Sequence, residues 1–197
     1  MRRVHADGVV LIRPLEQADR DALFASVRES IAEVSAWLPW CHSAYMPEEA
    51  TAFIESTRQS WANEAQFNFG VFDAQTGDHL GGVSVNHIVR QNRLANVGNW
   101  VRTGATKRGV AVRAVRLAAQ FAFEDLGLTR IEIAAIPENV ASRRVAEKAG
   151  ARFEVIARNR IVMHGQAYPA ALYSLLPTDL AASRGATELV AGGESAA

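Results

Sequence analysis

Cysteine is nearly absent from this chain of 197 residues, in which Cys41 stands alone. A single thiol excludes an intrachain disulfide and any cysteine-rich zinc site, and it suits a reducing cytoplasm. Neither sign of charge is in excess, with 21 Lys and Arg against 21 Asp and Glu. Dedicated nucleic-acid binders carry a basic surplus, so no nucleic-acid partner is expected. Long apolar runs are missing as well. None approaches the ~18–20 residues that cross a bilayer, and no membrane partner is expected. The opening Met1-Arg2-Arg3-Val4-His5-Ala6-Asp7 is basic but leads into no apolar stretch, so no secretory signal is expected either. What the chain does have is a 49% share of apolar residues, enough for one domain with a sizeable core.

The spacing of those apolar residues changes along the chain. Val9-Val10-Leu11-Ile12, after Gly8 and before Pro14, predicts a first strand. Asp19 is placed to cap a helix in which Ala22, Leu23, Val27, Ile31 and Val34 recur at helical intervals. Trp37-Leu38-Pro39-Trp40 ends that helix, and Pro47-Glu48-Glu49 starts a second that runs to about Asn63. The period then drops to two through Phe67, Phe69 and Val71, with a turn at Thr76-Gly77-Asp78 and further strands around 83–88 and 97–103. From Gly109 a helix carries Ala111, Val115, Ala118, Ala122 and Leu126 on one stripe and Arg113, Arg116, Gln120 and Glu124 on the other. Ile131 and Ile133 mark another strand, Asn139 to Lys148 a short helix stopped by Gly150, and 152–163 and 167–175 a closing pair around His164-Gly165-Gln166. Helices interleaved with a mixed sheet indicate an α/β or α+β domain over residues 1–180. The Gly-, Ala-, Ser- and Glu-rich stretch 181–197 has no period and is expected to be a disordered tail.

Thr103-Gly104-Ala105-Thr106-Lys107-Arg108-Gly109-Val110-Ala111 lies between a strand and the longest apolar helix. Small residues let such a segment curl so that several N–H groups converge at a helix N-terminus, which makes an anion cradle, and Lys107 and Arg108 add charge at its rim. A plain helix entry with two solvated cations fits the same residues. The segment is not a Walker loop, since no Gly-Lys-Ser/Thr follows, and it lacks the three glycines of a dinucleotide fingerprint.

This run, with Trp100-Val101 before it, resembles the pyrophosphate loop of the GNAT acetyltransferases, whose pattern is Gln/Arg-x-x-Gly-x-Gly/Ala. Pro137-Glu138-Asn139-Val140-Ala141-Ser142-Arg143-Arg144-Val145-Ala146-Glu147-Lys148-Ala149-Gly150-Ala151 resembles the second signature of that family. Trp37-Leu38-Pro39-Trp40 and Leu172-Tyr173-Ser174-Leu175 resemble its RimJ/RimL-like subgroup, which includes the N-terminal acetyltransferases of ribosomal proteins. The resemblance spans about residues 8–177. It implies a single-domain α/β (α+β) GNAT fold: a mixed, mostly antiparallel sheet of six to seven strands flanked by about four helices. Acetyl-CoA is the implied cosubstrate, with no metal and with a monomeric or homodimeric enzyme in the cytoplasm. Thr106 departs from the pattern, standing where relatives carry Gln or Arg; a backbone N–H and a hydroxyl remain, so weaker charge pairing with a retained loop is expected.

By the same resemblance the 97–103 strand splays from the 129–136 strand, and the pantetheine arm enters the gap near Trp100, Val101, Arg102 and Thr103. The pyrophosphate then rests on the N–H groups of about Arg108, Gly109, Val110, Ala111 and Val112, with Thr106 and Lys107 also counted among the cofactor-binding residues. Asn139 would hydrogen-bond the cofactor arm and Ser142 would protonate the departing thiolate. Alternatively, the two are a helix cap and a first-turn residue. No carboxylate occupies the strand position where relatives have Glu-Leu-Gly-Tyr-Trp-Val, because this chain reads Asn96-Val97-Gly98-Asn99-Trp100-Val101. Glu132 and His87 are the substitutes for a general base, each also compatible with a structural or surface role. Cys41 next to His42 has the composition of a nucleophile–base pair, but sequence neighbours seldom have that geometry. Trp37 and Trp40 are expected to shape the acceptor pocket or a helix contact rather than to do chemistry, with His87 near that pocket. Three functions compete: acetylation of a protein or peptide N-terminus, acetylation of a small-molecule amine, and non-catalytic acyl-CoA binding.

Overall fold

In the computed structural model, residues 4–180 are described; the stretch expected to form a tail lies outside them. An edge pair opens the chain, β1 (His5–Ala6) and β2 (Val10–Arg13), followed by α1 (Arg20–Val34) and α2 (Pro47–Ala62). An antiparallel meander follows in β3 (Phe67–Asp73), β4 (His79–Val89) and β5 (Leu94–Val101). Then come α3 (Val110–Glu124), β6 (Arg130–Ala135), α4 (Val140–Ala149) and the hairpin of β7 (Arg152–Met163) and β8 (Gln166–Leu175). All strands join one sheet in the order β1-β2-β3-β4-β5-β6-β8-β7. Every neighbouring pair is antiparallel except β5 with β6.

Eight strands, among the described residues, are one more than the upper expectation. The addition is β1, a two-residue strand held by pairing His5 with Ile12 and Ala6 with Leu11. Two residues carry no periodicity, so only the partner strand reveals it. The expected 97–103 strand is displaced to 94–101: the Arg102 N–H still bonds Leu80 C=O at 2.8 Å, but Thr103–Ala105 then coils into a single 3₁₀ turn. Asp19 stands at the N-cap position of α1 yet caps the turn before it, accepting the Glu16 N–H at 2.7 Å and two bonds from Arg13.

Alternation along the strands divides the core. One sheet face, through Val10, Ile12, Phe67, Phe69, Val85 and Val97, packs against α3. Phe121 of α3, fully buried, meets Phe67 and Phe69 edge-on at 5.1 Å each, contacts worth roughly 0.5–1.5 kcal/mol apiece beyond the area they bury. On the opposite face α1 and α2 enclose a smaller cluster around Leu23, Val27, Tyr45, Ile54 and Phe72. That face of β4 and β5 is not filled with apolar side chains, and there the candidate site opens.

Candidate active site

The one parallel pair in the sheet is incomplete. β5 and β6 are in register only over Leu94–Asn96 and Arg130–Glu132; beyond these, β5 stays with β4 and β6 with β8, and the two diverge. Backbone direction alternates along a strand. Because the Arg102 N–H points to β4, so do the backbone groups of Trp100 and Gly98, whereas Asn99 and Val101 turn theirs toward the gap. A groove of about 670 Å³ fills this divergence, bordered by β5 residues 97–101, β6 and its extension 133–136, the start of α3, and α4. Trp37 and Leu38 close it from the segment after α1.

The floor at the start of α3 is shaped by two left-handed residues, Lys107 (φ 61°) and Gly109 (φ 76°). A Cβ added to Gly109 would meet nothing within 4 Å, so the backbone there faces open groove. The first intrahelical bond of α3 runs from the Arg113 N–H to Gly109 C=O at 3.1 Å; the amides before Arg113 therefore have no acceptor one turn back, and no side chain caps them. With the positive end of the helix dipole they form a surface suited to phosphate. Behind it the loop is bolted to α1. Glu29 accepts from the Arg102 guanidinium at 2.5 Å and from the Gly104 N–H at 2.7 Å, and Arg102 followed by that amide holds its carboxyl below the usual range. Ser30 Oγ accepts the Thr103 N–H at 3.1 Å, and the Thr103 hydroxyl donates to Glu33 at 2.8 Å.

Most residues singled out in the sequence therefore come together. Trp37, Trp100, Val101, Thr106, Lys107 and Gly109 line the groove, and so do Val110, Ala111, Val112, Asn139 and Ser142. Thr106 is fixed by its own hydroxyl, which donates to Thr103 C=O at 2.8 Å. Arg102 and Thr103 are drawn away to α1, and Arg108 lies 3.7 Å from the Asp73 carboxylate; none of the three borders the groove. Asn139 is the N-cap of α4, its Oδ1 accepting the Ser142 N–H at 3.0 Å, which leaves its NH₂ as the group available to a ligand. Glu132 sits at the point of divergence in ion pairs with Arg130 and Arg160, and His87 lies at a β4 irregularity with φ 49°; neither borders this groove or the second cavity beside it. Sequence reasoning did not single out Arg144 and Lys148, also on the groove, although their i, i+4 spacing puts two cations on one face of α4.

A second cavity, of about 510 Å³, occupies the α1/α2 side and shares Leu38, Gly98, Asn99 and Trp100 with the groove. Trp40 belongs here rather than with Trp37, edge-on to Trp100 at 5.6 Å. On its sheet wall, among apolar side chains, stand Ser84 and Asn86: Asn86 Nδ2 donates to Ser84 Oγ, and Asn86 Oδ1 accepts from Asn96 Nδ2 beyond the cavity, each at 2.9 Å. Gly82 must lack a side chain, since a Cβ would come within 2.6 Å of the Trp100 indole nitrogen. His79, also on the wall, is buried; burial pushes its pKa down to about 4. Its Nδ1 is 2.9 Å from Ser26 Oγ, and its Nε2 has no hydrogen-bond partner among the described residues.

Among the described residues no cluster of His, Cys, Asp and Glu could hold a metal ion, and no helix is long and apolar enough to cross a membrane. An anion-binding helix start beside diverging strands, with a second cavity meeting it across β5, suits transfer between a phosphate-bearing donor and a separate acceptor. Comparison with known proteins agrees. Residues 10–152 match the acetyltransferase (GNAT) domain. The "Probable N-acetyltransferase YjcK" of Bacillus subtilis (strain 168) is 30% identical over 79% of this chain and 87% of its own. The "Putative ribosomal N-acetyltransferase YdaF" of the same organism is 27% identical over 85% of this chain and 91% of its own. Among solved structures, a GCN5-related N-acetyltransferase from Brucella melitensis superposes with a TM-score of 0.82 at 27% identity, covering 96% of this chain and 85% of that one. The chain belongs to the GNAT family of acetyl-CoA-dependent N-acetyltransferases.

Proposed function

We propose that this enzyme acetylates the α-amino group of a protein or peptide N-terminus by direct attack of the neutral amine. The observation that carries the proposal is the junction at Gly98–Trp100, where the phosphate-suited groove and the second cavity share one strand. Acetyl-CoA supplies an activated acetyl thioester. In the groove the amides around Gly109–Val112, with Lys107 at the rim, hold its phosphates, and the gap-facing backbone of Asn99 and Val101 pairs with its arm. The Val101 N–H, fixed before the reaction begins, donates to the acetyl oxygen as negative charge grows there. Ser142, half-buried on the groove wall, gives a proton to the departing sulfur. Positioning two substrates across one strand provides much of the rate.

Two features favour an α-amine. β5 presents no carboxylate along the junction, which favours an acceptor that parts with its proton readily. At pH 7.4 an α-amine of pKa ~7.7–8.0 is about a quarter neutral, whereas about one lysine amine in a thousand is. The wall of asparagine and serine side chains offers donors and acceptors to an extended peptide backbone, and the relative YdaF is named for ribosomal acetylation. Peptides with free N-termini are expected to be acetylated faster than the same peptides with blocked N-termini and free lysines, as read by mass spectrometry. Preferential lysine acetylation, or turnover of small amines alone, overturns the acceptor class.

A further inference from the structure

Within the largely apolar lining of the second cavity stand His42, Tyr45, Glu49 and His79, and it has no other titratable lining residue among those described. Two of these cannot take a proton from an amine near neutral pH. Burial pushes the Tyr45 phenol up to about 12, so it stays protonated. The same effect holds the His79 imidazole at about 4, some four decades too acidic to relieve an α-ammonium of pKa ~7.7–8.0. Glu49 and His42 remain, and they are joined: His42 Nε2 lies 3.0 Å from Glu49 Oε2.

The partnership is built by local structure. Glu49 is the third residue of α2, and its Oε1 accepts the Met46 N–H at 2.8 Å, closing a capping box that fixes the carboxylate. Its second oxygen is thereby aimed at the imidazole. A carboxylate on one ring nitrogen sets the tautomer: Nε2 keeps the proton and Nδ1 becomes the acceptor. The groups in contact with the His42 ring are Glu49 from α2 and Tyr45 with ring centroids 6.1 Å apart; next along the chain, Ser43 C=O accepts from the Arg28 guanidinium of α1 at 2.5 Å. The Trp37–Trp40 segment leads directly into His42 and brings Trp40 against Trp100, so the imidazole sits in the wall of the cavity that ends at the junction strand.

We propose that His42, oriented by Glu49, is the general base that deprotonates the acceptor ammonium, directly or through one water. His42 Nδ1 takes one proton from the ammonium and passes it to solvent. The freed nitrogen lone pair forms the N–C bond as the C–S bond breaks. The second nitrogen proton balances the one that the sulfur receives through Ser142. This assignment rests on the second cavity being the acceptor site. At side-chain exposures of 44% and 42% the pair, taken as an ion pair alone, is worth little to stability. Its removal should therefore be felt in rate.

The test uses the amine that the wild-type enzyme turns over fastest in a panel of N-terminal, lysine and small amines. A wrong acceptor class then shows in the wild-type panel and a wrong base only in the variants. His42→Ala is expected to lower kcat near pH 7 by about 10²-fold. Its acetyl-CoA affinity should be unchanged, because His42 does not border the groove. The variant's rate should climb about tenfold per pH unit toward the amine's own pKa, more steeply than the wild-type rate does, and added imidazole should restore part of the loss. Glu49→Gln keeps an acceptor for the capping box and removes only the charge, so it should lose less, on the order of tenfold, with helix content intact. A His42→Ala enzyme within about threefold of wild type overturns the assignment. So does a larger loss that leaves the pH profile unchanged and that imidazole does not rescue.

Discussion

Replacing Gly109 by valine separates what the loop does for folding from what it does for the donor. At φ 76° a non-glycine residue is strained by roughly 1–2 kcal/mol, and a β-branched one is least tolerant of it. A strain of that size lowers the melting temperature by only about 2–8 °C in a domain of this length. No protein atom lies within 4 Å of the new Cβ, so the substitution adds no internal clash. The valine instead projects into space that the phosphates need. Displacing one charge-assisted N–H bond costs about 1.5–3 kcal/mol, or on the order of 10–100-fold in affinity, and displacing two abolishes measurable binding. Gly127, beyond the far end of α3 with φ 65° and equally open surroundings, is a strain-matched control. Calorimetric titration with acetyl-CoA, with circular dichroism on both variants, should show similar melting shifts for Gly109→Val and Gly127→Val but lost affinity in the first alone. Unchanged affinity in Gly109→Val would falsify the placement of the phosphates on this loop.

Two further outcomes follow from the same geometry. Ser142→Ala should lower kcat by on the order of 10²-fold with little change in acetyl-CoA affinity, because the capping bond at this position uses the Ser142 backbone N–H and survives the substitution; lost stability at unchanged kcat per folded enzyme would remove the hydroxyl from the reaction. His79 makes stability depend on pH. Its folded pKa of about 4 lies below the ordinary 6.5, so the unfolded chain binds more protons between those values. The contribution is complete above pH 6.5 and lost as pH falls through the window, about 3 kcal/mol in all. Urea unfolding of wild type and His79→Gln should show the variant with the shallower pH dependence there, and parallel curves would show that the imidazole is not buried in its neutral form.

Local rules were enough for much of this protein. Helical spacing in Leu23, Val27 and Ile31, proline at the head of α2, and the two-residue period of Phe67, Phe69 and Val71 each record a constraint within one element. That is why both long N-terminal helices and the meander could be read from the chain. The two signature segments were legible for the same reason, since each is a helix start written in contiguous residues: Lys107 to Val112 in one case, Asn139 to Ser142 in the other.

Tertiary structure decided the rest, because it depends on which elements meet. Nothing in Leu94–Val101 or Arg130–Ala135 says that pairing stops after three residues; the divergence arises because each strand follows a different neighbour. Arg102, Thr103 and Arg108 have the right chemistry in the right segment, but Glu29, Glu33 and Asp73, all distant in sequence, hold them off the groove. Trp37 and Trp40, three residues apart, end in different cavities because the chain between them crosses the junction. The proposed base shows the same limit. His42 stood beside Cys41 in the sequence, whereas its partner in space is Glu49, delivered by the first turn of the next helix. Spacing along a chain encodes the face of an element; only packing brings two faces together.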